Sequence, residues 1–182
     1  LSQSHVKEAD AFRAALHLRD CHRLDVLLAH LQEQYEQGFW NEGLLRMFAL
    51  AMVECNHEPQ EGLQILSDLW GGSPHDGFVV SDYASALIAV NRMSDAESIL
   101  ERGKDEVPKR SFGYRAVLET LALLYEKQEK FTRSFEMYRA AIGIAPMHLH
   151  LYRAFARCLL EAAASYRTTK KSPQEDACIV EA

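Results

Sequence analysis

Proline and glycine are both scarce, at five and nine residues in a chain of 182. Both residues interrupt regular helix, so their scarcity argues for helix throughout and few strands. Three of the prolines, Pro74, Pro108 and Pro146, stand where apolar-periodic segments end. Four cysteines are too few for a disulfide framework. Reduced thiols in an intracellular compartment are expected, with the cytoplasm favoured. The chain opens at Leu1 rather than Met, so a removed leader or a longer parent protein is also expected, and mitochondrial or other organelle import stays open. No uncharged apolar run reaches the roughly 18 residues that span a bilayer. The best candidate, residues 44–53, is short and contains Arg46, so no membrane insertion is expected. Phosphate-loop, dinucleotide-glycine, G-x-S-x-G and H-E-x-x-H patterns are all missing. No catalytic residue, cofactor or metal is assigned on this basis, and the chain reads as a non-enzyme. Cations are outnumbered, 20 Lys and Arg against 26 Asp and Glu, for a net charge of −6. A protein that grips phosphates is usually basic, so nucleic acid is disfavoured as a partner.

What the chain does have is helical periodicity. Leu118, Leu121, Ala122 and Tyr125 stand at i, i+3, i+4 and i+7, the apolar stripe of an amphipathic helix. After a break at residues 128–130 a second stripe follows, Ser134, Tyr138 and Ala141, closed by Pro146. The arrangement recurs. Val80, Tyr83, Ala84, Leu87, Ala96, Leu100, Gly103 and Pro108 repeat it in order. Leu45, Phe48, Ala49, Met52, Gly62, Leu66 and Pro74 repeat it again, with one extra residue in the inner turn. Ala11, Ala14, Ala15, Leu18, Leu27 and Leu31 give a poorer copy, and Tyr152, Phe155, Ala156 and Leu159 supply another first helix. The leading positions 11, 45, 80, 118 and 152 are spaced by 34, 35, 38 and 34 residues.

These positions resemble the tetratricopeptide repeat (TPR), whose first helix carries a large residue, Leu-Gly and Tyr, and whose second carries small and aromatic residues before a Pro. Ala122 stands where the strict glycine would be. The resemblance covers residues 5 to 167 and implies an all-α, right-handed solenoid of antiparallel helical hairpins, about four and a half repeats long. Residues 1–167 are expected to form the solenoid. Residues 168–182 are expected to be a polar linker, broken at residues 167–171, with a further short helix started by the Ser172, Pro173, Glu175 capping pattern. Ser94 with Glu97 reads as another capping box. Ser4 is expected to cap a first helix that residues 20–22 break, and the following helix should end at Gly38.

Cys21, His22, Cys55 and His57 fall in equivalent inner turns, but stacked hairpins about 8 to 10 Å apart do not offer a ready tetrahedral zinc site. Tyr83, Tyr125, Tyr138, Tyr152 and Phe155 occupy core slots, so packing rather than base stacking accounts for them. Trp40 and Trp70 lie outside the slots and are expected to cover repeat junctions or mark contact surfaces.

In TPR proteins the first helices line a concave groove that holds a peptide or partner helix. The resemblance places Arg46, Met47, Leu50, Ser81, Asp82, Ser85, Glu119, Thr120, Leu123, His150, Arg153 and Arg157 on that groove. Met47, Leu50 and Leu123 would be apolar anchors, with acid in the middle and base at the C-terminal end. The Lys, Asn and Arg clamp that holds a chaperone's C-terminal carboxylate is not matched here. The expected function is an interaction module or scaffold that holds a protein or peptide segment within a larger protein or assembly. The alternatives are a pentatricopeptide-type single-stranded RNA binder of an organelle and a structural subunit of a large complex.

Overall fold

The computed structural model describes residues 24–36 and 41–179, with side chains described at 26–34, 36 and 41–167. Among these residues all regular structure is helical. The helices are α1 (Leu24–Glu36), α2 (Glu42–Glu54), α3 (Pro59–Gly72), α4 (Gly77–Ala89), α5 (Met93–Glu106), α6 (Phe112–Lys127), α7 (Phe131–Ile144) and α8 (Leu149–Ile179). Hairpins α2/α3, α4/α5 and α6/α7 stack in chain order. Each first helix packs on its own second helix, and each second helix packs on the next first helix. The first copy's Ala11, Ala14, Ala15 and Leu18, together with Ser4, Cys21, His22, Gly38 and Trp40, lie outside the described residues.

The repeat positions build the core. Ala49, Ala84 and Ala122 are fully buried, as are Leu66, Leu87, Leu100 and Leu121. Close helix contact explains why the small slots are small. A Cβ on Gly62 would lie 2.5 Å from the Ala49 carbonyl oxygen, and one on Gly103 would lie 2.6 Å from Val80. Further along the solenoid, the residue equivalent to Gly62 is Ser134, whose hydroxyl donates to the Ala122 carbonyl at 2.8 Å. Two solutions thus serve one crossing: remove the side chain, or let it satisfy the carbonyl it meets.

The inner turns share one geometry. Asn56, Asn91 and Glu129 take left-handed backbone with φ of 54°, 62° and 57°. The next residue's N–H reaches back five places, from His57 to Met52, Arg92 to Leu87 and Lys130 to Tyr125, each at 2.8 Å. This is the helix-ending bond pattern that satisfies otherwise orphaned carbonyls. The first turn contains one more residue, as the sequence indicates, and absorbs it with a second left-handed residue, Glu58, before Pro59 opens α3. The outer ends use side-chain caps: Asn41 accepts from the Leu44 N–H, Asp76 from Phe78 and Val79, and Ser111 from Tyr114.

Three sequence expectations need correction. Ser94 does not cap α5: the helix begins at Met93 after Arg92, which makes no side-chain cap bond, and Glu97 faces Gln128 and Lys130 instead. The polar stretch 167–171 does not break the last helix, because α8 continues to Ile179; polarity alone does not end a helix rich in Arg and Lys, which are good helix formers. Finally, the stripe of α8 is off by one. Leu151, Ala154 and Cys158 are buried, whereas Tyr152 and Leu159 are 44% and 43% exposed. The helix carries apolar residues on two sides, and α7 covers the side one residue earlier than the size of the aromatics suggests.

Candidate functional site

The first helices α2, α4, α6 and α8 present one continuous face, stitched by side chains that reach from each helix to the next. Arg46 of α2 lies over the Phe78 ring, 5.5 Å from its centre, and pairs with Asp82 of α4. The Ser81 hydroxyl of α4 shares a hydrogen bond with Thr120 of α6 at 2.8 Å and lies 3.4 Å from the Ala116 carbonyl. Glu119 of α6 meets His150 of α8 at 3.0 Å while Arg115 holds its other oxygen at 2.6 Å. Arg46, Ser81 and Glu119 each follow the leading slot by one residue, so the same position makes the connection three times.

These contacts sort the twelve expected groove residues. Met47 and Leu50 belong to the packed core at 2% and 8% exposure, so they are not surface anchors. Helix α2 is apolar on nearly every side, the composition of a buried helix. Ser81, Asp82 and Thr120 are buried in the seams between first helices. Arg46, Ser85, Glu119 and Leu123 are half-buried, and His150, Arg153 and Arg157 are exposed. The acidic centre is largely neutralised from within, Asp82 by Arg46 and Glu119 by Arg115 and His150. Arg157 is likewise turned inward, 2.7 Å from Glu126 and 3.3 Å from Glu161. Arg153, on the same helix, is exposed.

Two carboxylates at the α6–α8 seam are held in opposite ways. Burial pushes Glu119 up, but the His150 hydrogen bond and the neighbouring Arg115 outweigh it and hold the carboxyl below its ordinary value. Burial wins at Glu126, whose carboxyl is raised despite the facing Arg157. Around Glu126 the Tyr138 hydroxyl donates at 3.2 Å, and the Cys158 thiol lies 3.2 Å from the Ser134 hydroxyl, with burial raising the thiol's pKa. On the second-helix side the Tyr125 hydroxyl donates to Glu101, and burial together with that bond pushes Tyr125 up to about 12.

Among the described residues no three His, Cys, Asp or Glu side chains gather as a metal site, and no helix is long and apolar enough to cross a membrane. Cys55 is half-buried and His57 exposed. Trp70 covers a junction: it packs against the central core, 5.9 Å from the Tyr83 ring, with the Arg102 guanidinium also over its ring.

The sequence reading missed one contact altogether. Gly77 and Gly113, at the starts of α4 and α6, meet backbone to backbone, and a Cβ on Gly77 would stand 2.3 Å from the Gly113 carbonyl carbon. Neither glycine occupies a repeat slot, and only two small residues in matching outer positions could have signalled the contact.

No protein-family model matches the chain, and no curated protein matches it in sequence. Solved structures do match in fold. A MamA crystal structure superposes with a TM-score of 0.51 at 13% identity, covering 96% of this chain and 94% of that one. Another MamA structure gives 0.51 at 14% identity, over 90% of this chain and 96% of that one. A TPR protein of Thermus thermophilus, TTC0263, gives 0.50 at 18% identity, over 84% of this chain and 99% of its own. Helical hairpins in series, recurring small slots and these superpositions agree: in fold, the chain is a TPR-like helical-repeat protein, an all-α solenoid.

Proposed function

We propose that this chain is a non-enzymatic interaction module that holds a protein segment along its first-helix face, as a scaffold in a larger assembly. The carrying observation is the face itself: four first helices locked together by Arg46–Asp82, Ser81–Thr120 and Glu119–His150. Such seams fix the helices relative to one another, so a partner meets a surface already arranged, which lowers the ordering cost of binding. Ser85 and Leu123 remain half-buried in the middle of that face and offer one polar and one apolar contact. With a net charge of −6 the chain is short of the cations that a reader of single-stranded RNA needs, which supports a protein partner over RNA.

Photo-crosslinking residues placed at Ser85 and Leu123, with exposed Glu136 of α7 as the control, test this reading in cells. Crosslinks to a discrete polypeptide from 85 and 123, and none from 136, are the expected result. Crosslinks only from 136 would move the working surface to the second helices, and crosslinks to RNA would replace the protein partner.

A further inference from the structure

The face of α8 turned away from the core is apolar. Leu149 is 77% exposed, Leu160 73%, Tyr166 63%, and Tyr152 and Leu159 join them. At about 100° per residue these five fall on one side of the helix, centred well over a third of a turn from the buried Leu151, Ala154 and Cys158. The earlier repeats show what these positions do. The residue one after the leading slot, Arg46, Ser81 or Glu119, touches the next first helix. In α8, where the buried stripe puts the leading slot at Leu151, that residue is Tyr152, its ring set by a hydroxyl hydrogen bond to the Pro146 carbonyl at 2.9 Å. The residue eight after the slot, Val53, Ile88 or Glu126, is 4–6% exposed, while its equivalent Leu159 is 43% exposed. So α8 presents, uncovered, the surface that every earlier junction covers with a helix.

We infer that α8 docks an amphipathic helix of a partner protein, one whose apolar stripe is edged by carboxylates. The charge around the stripe selects this occupant. Arg153 and Arg167 are exposed and about four turns apart on the stripe side, whereas Glu161 is turned to the other side, against Arg157. Carboxylates on the incoming helix meet both arginines. A second copy of this chain does not fit: antiparallel pairing of two α8 stripes about Leu160 sets Arg153 opposite Arg167 of the other copy. Aromatic and leucine anchors at the centre carry the affinity, and the flanking arginines set choice of partner and on-rate.

The inference rests on the chain being an interaction module but not on the Ser85 and Leu123 surface, so the two fail separately. The probes are two synthetic peptides that differ only at their edges, a Leu/Ala amphipathic helix flanked by Glu and the same helix flanked by Lys, titrated by fluorescence anisotropy into the whole chain. The Glu-edged peptide is expected to bind about tenfold tighter or better. Leu160→Glu or Tyr152→Ser should each weaken it by about the same factor, with the helical circular dichroism unchanged. Arg153→Glu with Arg167→Glu should reverse the preference. Equal affinity for both peptides, or Glu-edged binding indifferent to both stripe variants, overturns the inference. So does sedimentation showing wild-type dimers that Leu160→Glu dissolves, which would give the face to a second copy.

Discussion

The α4–α6 junction and the α6–α8 junction solve the same packing problem with opposite means. Between α4 and α6 the backbones touch at Gly77 and Gly113, and the polar link nearby is the short Ser81–Thr120 hydroxyl pair. Between α6 and α8 the helices are bridged by long charged side chains, Glu119 to His150 and Glu126 to Arg157. A junction made of close backbone contact has no slack. One made of ion pairs with half-exposed cations tolerates adjustment, because each pair contributes little and its geometry is adaptable. The solenoid is therefore tightest in its middle and most yielding at α8, the helix that also carries the uncovered apolar stripe.

The sharpest way to break this contrast is Gly77→Val. The new side chain meets backbone rather than a flexible side chain, so α4 and α6 must separate, at a cost of about 3 kcal/mol. Urea melts should show the midpoint falling accordingly. A midpoint within error of wild type would mean that the two helices can part freely, and the middle would lose its claim to be the rigid region. Next in size is Ala122→Leu, which overpacks the crossing where α7 and α8 both approach α6; about 1 to 3 kcal/mol is expected in the same melts. A loss no greater than that of an exposed control such as Lys127→Leu would show that this crossing has room.

Arg157→Ala should cost less, about 1 kcal/mol, because the guanidinium is half exposed and solvent screens its pairing with Glu126. A loss comparable to Gly77→Val would erase the difference between the junctions. Acid sharpens the picture further. Glu119 is held below its ordinary value, so it contributes stability present above the unfolded-state pKa and lost as pH falls through the depressed folded-state one. Glu126 is raised, so its ionisation subtracts stability as pH rises through the window between its unfolded and folded values. Thermal melts stepped from neutral to acid should therefore show the deficit of Glu119→Gln shrinking in acid. Over the same range the wild type should gain on Glu126→Gln. Parallel curves for the two variants would mean that both carboxylates titrate as ordinary surface groups.

The smallest expected effect separates the inner turns. Glycine at Asn91 should change stability little, since Asn tolerates left-handed backbone. Glycine at Glu129 should add roughly 0.5 to 1 kcal/mol by relieving a side chain from that region. Equal responses in denaturant melts would show that residue type does not matter in these turns.

Most of the fold was legible in the sequence because the repeat slots have mechanical meaning. Ala84, Ala96, Leu100, Ala122, Ser134 and Ala141 are all fully buried, and only small or apolar residues survive where helices cross. The last helix was misread for an equally physical reason. Its apolar residues form two interleaved stripes, and periodicity reports that a stripe exists without saying which one a neighbour covers. The groove was only half legible. A stripe adjacent to the core predicts that Arg46 and Asp82 lie on the first-helix side, but not that they neutralise each other across 36 residues of sequence. The Ser94 pattern failed because a helix start depends on the turn before it, and the turn through Asn91 sets Met93 as the first helical residue.

The three inner turns have a consequence for how this chain can change over evolutionary time. Each is closed by a left-handed residue and a backward five-residue bond, a geometry that an added residue destroys unless a second left-handed residue accompanies it, as at Glu58. The outer connections at 73–76, 107–111 and 145–148 carry no such lock, so a change in their length needs no compensating left-handed residue. Insertions, fused domains and drift in repeat length are therefore channelled to one edge of the molecule, and the opposite edge keeps the ruler by which successive hairpins are spaced.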